Sequence, residues 1–416
     1  MQQVGLGWLV YRLTHSALML GLVAFASQIP SLVVAPLTGV WVDRWSRHRI
    51  VIGTQILSMF QAVTLAVLVL TGAIRIWQVL ALSAFLGLVN AVDIPARQAF
   101  LVEMVGGREH LANAIALNSS TFNAARLVGP SIAGFLIARF GEGAVFVLNA
   151  ASYVAVLLAL WAMKVPRPPA SPGPETSAWR TLTEGIRYVA ASAPIRTILL
   201  LLSFVSLVGV PFTVLMPVFA AEVLHGGPHT LGLLMGAMGV GALAGALSLA
   251  ARKTVRGLGR LIGVGIAVFG ASLVGFALSR SVPLSLFFLL LCGFGMMVHT
   301  ASSNTILQTI VEDDKRGRVM SLYAAAFMGT LPLGSVFAGT LAGRIGATRT
   351  VLLGGLGCLA AAGVFALNLP ALRTHIRPIY VRLGIIPELA TGLQVATEPA
   401  VPVRHTSHAD KEIIQS

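Results

Sequence analysis

Asp93 and Arg97 stand four residues apart inside a long apolar run, and Arg126 lies inside the next one. An ionised side chain at the centre of a lipid-embedded helix costs at least ~2.5–3.5 kcal/mol, so such residues face protein interior and pair. Asp93 is about ten residues from one end of its run, roughly 15 Å deep, with Arg97 one turn nearer that end. Arg126 is about fourteen residues into its own run, roughly 21 Å deep. A carboxylate beside a guanidinium at this depth can bind a proton and release it in exchange for another ligand. The same charges can equally serve as a static tie between the fourth and fifth helices. His299, in a later run, can titrate near neutral pH or hydrogen-bond a bound molecule, or simply pack. Glu222, at the end of another run, reads either as a solvated charge or as a point of proton access.

Other patterns carry no chemistry. No nucleophile stands with a base in a catalytic arrangement, so no enzyme is expected. Gly239-Val240-Gly241 with Gly245, and Gly354-Gly355-Leu356-Gly357, lie inside apolar runs and lack the strand–turn–helix setting of a phosphate cradle. No phosphate-loop lysine sequence occurs, so neither ATP nor any other cofactor is expected. Cys292 and Cys358 sit in apolar runs without metal-ligand spacing, and Asp313 and Asp314 read as solvated charge. No metal site is expected.

The elements that must position the charges are membrane helices. Of 416 residues, 56% are hydrophobic and 11% charged, and the mean hydropathy is +0.85. Soluble domains carry about 25% charged residues, so this chain cannot clothe a water-facing surface of ordinary size. Apolar runs fall near 1–13, 17–41, 50–72, 76–104, 112–138 and 143–164, and again near 196–221, 229–251, 257–279, 283–310, 318–343 and 347–368. Each needs roughly 20 residues to cross about 30 Å of hydrocarbon. Residues 166–195 form a break with a Pro-rich start, Pro166 to Pro174, followed by a short amphipathic helix near Trp179 to Ala190. Residues 370–416 are polar and expected to be mostly disordered. The stretch from Met1 to Tyr11 rises only about 17 Å, so the first helix reads as truncated at its start.

Charge fixes an orientation. One alternate set of loops, with the break and the tail, holds twenty-one of the 29 Lys and Arg, and the opposite set holds six. The positive-inside rule places the break and the C-terminus in the cytoplasm of a multi-pass protein of the inner or plasma membrane. The net charge of +14 is thus scattered through loops and does not point to nucleic acid. The two halves also repeat. A shift of 205 lays Gly129, Gly134, Arg139 and Gly141 on Gly334, Gly339, Arg344 and Gly346, and Arg47 and His48 on Arg252 and Lys253. Parallel repeats of six helices (1–165 and 196–369) describe a transporter of two bundles with its site between them.

Gly39-Val40-Trp41-Val42-Asp43-Arg44-Trp45-Ser46-Arg47-His48-Arg49 resembles the signature loop of the major facilitator superfamily, G-x-x-x-D-R-x-G-R-[RK]-[RK]. Ser46 and His48 depart from it. Gly129-Pro130 with Gly134 is similar to that superfamily's antiporter motif, with Ala125 and Ala133 in place of two glycines. The segments from Asn90 to Phe100, from Asn113 to Ser119 and from Arg377 to Arg382 resemble the drug and siderophore efflux branch that includes the enterobactin exporter. The resemblance covers residues 1 to about 370. It implies an all-α fold of twelve membrane helices in two six-helix bundles, functioning as a monomer. It also implies a cytoplasmic latch at Gly39, Asp43, Arg44, Arg47 and Arg49, and a cavity lined by Phe85, Asn90, Phe204, Phe212, Met296, His299 and Asn304. The expected activity is proton-coupled efflux of an amphipathic small molecule such as a drug, macrolide or siderophore. The partners are then that small molecule, the proton and membrane lipids. A lipid or lysolipid flippase, or a transport-inactive sensor or scaffold, are the alternatives on the same fold.

Overall fold

The computed structural model describes residues 1–44, 46–105, 108–163, 178–252 and 254–382. The Pro-rich start of the break, Lys253 and the tail beyond 382 lie outside the described residues. The first half contains α1 (Gln2–Thr14), α2 (Ala17–Arg44), α3 (Arg47–Leu70), α4 (Ile76–Met104) and α5 (Arg108–Ala162). After α6 (Ala178–Ala191) come α7 (Ala193–Val208), the short α8 (Met216–Val218), α9 (Pro228–Ala250), α10 (Leu258–Leu278), α11 (Val282–Ile310), α12 (Asp313–Met328), α13 (Leu331–Ile345) and α14 (Ala347–Arg382). α5 is two arms joined at Gly141, and α12 with α13 makes one broken crossing, so the described residues form two groups of six crossings. Among the described residues, ten stretches are long and apolar enough to span a membrane. Bulky apolar side chains such as Trp77, Phe140, Trp161 and Leu367 are exposed, as lipid contact requires and water would not allow.

Local sequence explains the breaks. Gly141 (φ 78, ψ 172) and Gly346 (φ 89, ψ 154) turn the chain at matching places in the two halves. Both lie where a side chain is not tolerated, so the 205-residue repeat extends to backbone conformation. Beyond α7, Pro211 and Pro217 each remove a backbone donor, and the chain tightens to a 3-10 turn (Val210–Leu215), then widens to a π turn (Phe219–Val223). α6 packs on α12, where Arg318 reaches Glu184 at 3.2 Å and the Lys315 ammonium lies 5.0 Å over the Tyr188 ring. One expectation fails: helix does not stop at Pro370. α14 continues to Arg382, because Leu372 and Tyr380 still bury apolar surface.

The halves touch through α2 against α13 and α5 against α9. At each crossing two glycines let backbones meet. A Cβ on Gly134 would lie 2.7 Å from Gly232 Cα and 2.7 Å from the Pro228 oxygen. One on Gly339 would lie 3.2 Å from Gly21 Cα and 2.7 Å from the Ala17 oxygen. Gly134 and Gly339 are repeat mates, and Gly21 and Gly232 are each the fifth residue of their helix. The two crossings are therefore one contact made twice.

Both lie at the end away from the basic loops. Towards the basic end, α2 from Ala24 to Val34, α5 from His110 to Val128 and the chain from Met320 to Leu331 bury no described side chain fully. Along these helices the fully buried described side chains thus lie at the end away from the basic loops.

Candidate functional site

Asp93 is 5% exposed on α4. Its Oδ1 accepts hydrogen bonds from Thr54 Oγ1 at 2.7 Å and Gln55 Nε2 at 2.8 Å, both on α3. Its Oδ2 accepts from Arg97 Nη2 at 2.6 Å, while the Arg97 side chain is 56% exposed. The spacing of four residues puts both charges on one face of α4, and the antiparallel packing of α3 supplies the neutral donors. The buried carboxylate is thereby paired and satisfied, with its counter-charge at the margin. Arg126 lies on α5, and its side chain is outside the described residues.

The donors from α3 belong to a longer file. Thr54, Gln55, Ser58 and Gln61 are all buried on one face of that helix. Gln61 Oε1 accepts from Gln2 Nε2 at 2.9 Å, and Gln2 Oε1 accepts from Asn149 Nδ2 at 2.6 Å. Further towards the non-basic end, Arg12 pairs with Glu142 at 2.8 Å. Tyr11 donates to Glu222 Oε1 at 3.0 Å and so ties α1 to the second half. Sequence reasoning missed this file. Its signal was present in the polar residues recurring every three or four positions along α3, but amides and hydroxyls carry little weight beside charges.

At the basic end, Gly39, Asp43 and Arg44 lie on α2 with side chains outside the described residues. Arg47 pairs with Glu103, the acidic residue near the end of α4, which the sequence reading overlooked. Arg49 is exposed. His48 bonds to the Leu160 oxygen at 2.8 Å and stacks on Phe100. In the antiporter-like segment, Gly134 makes the crossing described above, the Pro130 oxygen faces Gly232, and Gly129 lies beside Met1.

The cavity candidates divide by burial. Phe85, Asn90 and Asn304 are half-buried, and Asn304 accepts from Gln308. Phe204 is 43% exposed, beside Gly357 of α14. Phe212 is interior, edge-on to Phe269 and Phe276 at 6.2 and 6.3 Å. Met296 and His299 are likewise interior to the second half. All three are buried. Among the described residues no group of three His, Cys, Asp or Glu could hold a metal ion.

Two six-helix groups joined by a linker helix, meeting along α2–α13 and α5–α9, define a transporter of the major facilitator fold. The model of the transmembrane secretion effector family matches residues 1–378, and the chain belongs to that family. It is 27% identical to the staphyloferrin A transporter of Staphylococcus aureus, over 87% of this chain and 90% of that protein. It is 28% identical to the multidrug efflux pump Tap of Mycolicibacterium fortuitum, over 89% and 91%. Identity to macrolide efflux protein A of Streptococcus pyogenes is 22%, over 82% and 85%. Among solved structures, the nucleoside transporter NupG superposes with a TM-score of 0.65 at 12% identity, over 88% of this chain and 96% of that one. A bacterial homologue of the lysosomal transporter Spinster, inward-facing and occupied, superposes at 0.62 with 16% identity, over 92% and 95%. The protein is a multi-pass membrane transporter and not an enzyme.

Proposed function

We propose that this protein exports amphipathic small molecules, such as drugs, macrolides or siderophores, in exchange for protons. Its basic end, linker and C-terminus face the cytoplasm, and the state in which the glycine crossings are closed is then the inward-facing one. Substrate enters between the halves, near Phe85, Asn90, Phe204 and Asn304. Closure of the basic end, latched by Asp43 with Arg44, Arg47 and Arg49, accompanies the opening of the glycine crossings.

The observation that carries the reading is Asp93, a buried carboxylate held by Arg97, Thr54 and Gln55 beside the packed α2–α4 interface. Protonating it removes the counter-charge of Arg97 and weakens the acceptor offered to α3. Gly87 of α4 rests on the backbone at Ser27 of α2, and Ser31 Oγ donates to the Gly87 oxygen at 2.8 Å. A change at Asp93 is therefore passed through α4 to α2, the helix that makes the Gly21–Gly339 crossing. Arg97, half in solvent, and Arg126 are the cations that a departing proton or an arriving substrate can re-pair. The polar file from Gln55 to Asn149 supplies groups along which the proton approaches.

The test is efflux into everted membrane vesicles with a panel of dyes, macrolides and siderophores under an imposed pH gradient. Gradient-dependent accumulation is expected. Movement of lipid alone points instead to a flippase, and movement of nothing to a sensor or scaffold.

A further inference from the structure

His299 and its neighbours are a second place where the fold buries polar groups deeply. His299 is 1% exposed, and Ser302 and Ser303 are 0% exposed. Neither ring nitrogen of His299 and neither serine hydroxyl has a hydrogen-bond partner among the described residues. Buried polar atoms are nearly always satisfied, by protein or by internal water, so four orphans within two turns mark a site and not an accident of packing. All three residues fall on one side of α11, one turn apart, where a single water can reach the imidazole and a hydroxyl together.

The repeat shows what this place is. α4 and α11 are both 29 residues long, and a shift of 206 lays one on the other from end to end. It carries Asp93 onto His299, Ala96 onto Ser302 and Arg97 onto Ser303. Each half therefore sets a buried titratable side chain, Asp93 or His299, at the same point of the same helix. In the first half α3 answers with Thr54 and Gln55. In the second half α10 answers with bare backbone. A Cβ on Gly265 would stand 2.8 Å from the His299 backbone nitrogen, so the two helix backbones meet there, and neither ring nitrogen has a partner among the described residues.

Charged and titratable groups on the elements packed around α11 are few. α12 brings the Tyr323 hydroxyl, which donates to the Thr300 oxygen at 3.0 Å. α10 brings the exposed Arg260, five residues from Gly265 towards the basic end. Cys358 of α14 sits instead against Gly209 and Gly270. His229 and Arg196 occupy the first turns of α9 and α7. The carboxylates of α12, Asp313 and Asp314, are exposed in its first turn at the basic end, so an imidazolium here is compensated by water and hydroxyl dipoles.

We propose that His299, with Ser302, Ser303 and internal water, is a second proton-binding site, the counterpart in the second half of Asp93. An imidazole nitrogen forms an N–H bond with a proton delivered by hydronium at the internal water, whose O–H bond breaks to leave neutral water. A serine oxygen or a second water then accepts from the imidazolium. The purpose of the site rests on the proton-coupled reading above, but its existence does not.

The test uses full-length protein in liposomes, labelled with 15N-histidine, with the His299 resonance assigned as the one absent from His299→Gln. A reversible shift of that resonance between about pH 4 and 9, with exchange to water, is expected in the wild type and in Asp93→Asn alike. A resonance fixed in one neutral tautomer over that range overturns the site. Should His299→Gln fail to reach the membrane, a variant keeping His299 as its only histidine gives the same titration. Transport separates the two proposals. One pH unit drives about tenfold accumulation per proton exchanged. His299→Gln is therefore expected to lower the limiting ratio by about tenfold per unit while leaving downhill movement intact, and an unchanged ratio overturns the coupling role. If Asp93→Asn still concentrates substrate while the His299 resonance titrates, the Asp93 reading fails and this site stands.

Discussion

α4 and α11 occupy equivalent places in the two halves, yet their surroundings differ. α4 faces the polar side of α3, where Thr54, Gln55, Ser58 and Gln61 are buried together. α11 meets Gly265 and Phe269 of α10 backbone to backbone at Gly295, and the second half packs around them with stacked and edge-on phenylalanines. A duplicated scaffold has thus kept the backbone geometry in both copies and specialised one of them. The first half gives its buried carboxylate side-chain donors from the neighbouring helix. The second leaves the His299 ring without a side-chain partner among the described residues. Glycine marks the two places where the halves remain equal.

Those equal places give the largest expected effect. Gly134→Val or Gly339→Val forces a side chain into opposing backbone, which cannot rotate aside. Overpacking of about 3 kcal/mol would reduce the closed population at that end by roughly 100-fold. Spin-label distances across α5 and α9 should lengthen, and transport should fall to background. Gly129→Ala, at an open position of the same motif, should change neither. Equal damage from all three would show that the motif matters for something other than close approach.

Asp93→Asn comes next. It keeps shape and hydrogen bonding but cannot titrate, so accumulation against a gradient should vanish while counterflow of labelled substrate persists within about threefold. Retained pH-driven accumulation would make Asp93 a structural residue and erase the proposed difference between the halves.

Removing a neutral donor to a buried charge should cost about 1.5–3 kcal/mol. Thr54→Val is expected to lower thermal stability in detergent by that amount, whereas Ile266→Val on α10 should cost only about 0.5–1.5 kcal/mol. A reversed order would mean that α3 contributes packing and not polar support. The smallest effect is expected from Tyr11→Phe. Loss of its single bond to Glu222 should weaken closure at the non-basic end by about 1 kcal/mol, read as a roughly fivefold shift in label accessibility there. No shift would leave the glycine crossings as the whole closure.

Much of the architecture was legible in the residues. The fourth run, read at 76–104, is α4 from Ile76 to Met104. Apolar length reports membrane helices well because lipid leaves the backbone no partner but itself. The repeat was legible too, since Gly141 and Gly346 must be glycine at a positive φ and left matching marks. So was the pair of Asp93 with Arg97, whose spacing is set within one helix. The family resemblance, carried by the signature loop and the fifth helix, agrees with the family model over residues 1–378.

What the sequence could not supply was which helix each face meets. Gly134 was visible as part of a motif, but its contact with Gly232 needed the crossing of α5 and α9. Glu103 was not singled out in the sequence, because its role needed α3 to bring Arg47 to it. Met296 and Phe212 were visible as apolar residues of their helices, but their burial against neighbouring helices needed the packed structure. Hydropathy fixes where a helix begins and ends. Its rotation and its partners depend on packing between segments far apart in the chain, where small residues set the distance of approach. The same limit hid the equivalence of Asp93 and His299. The loops before α4 and α11 differ by one residue from the register of the glycine repeat, and only superposed helices of equal length bring the two side chains to the same place.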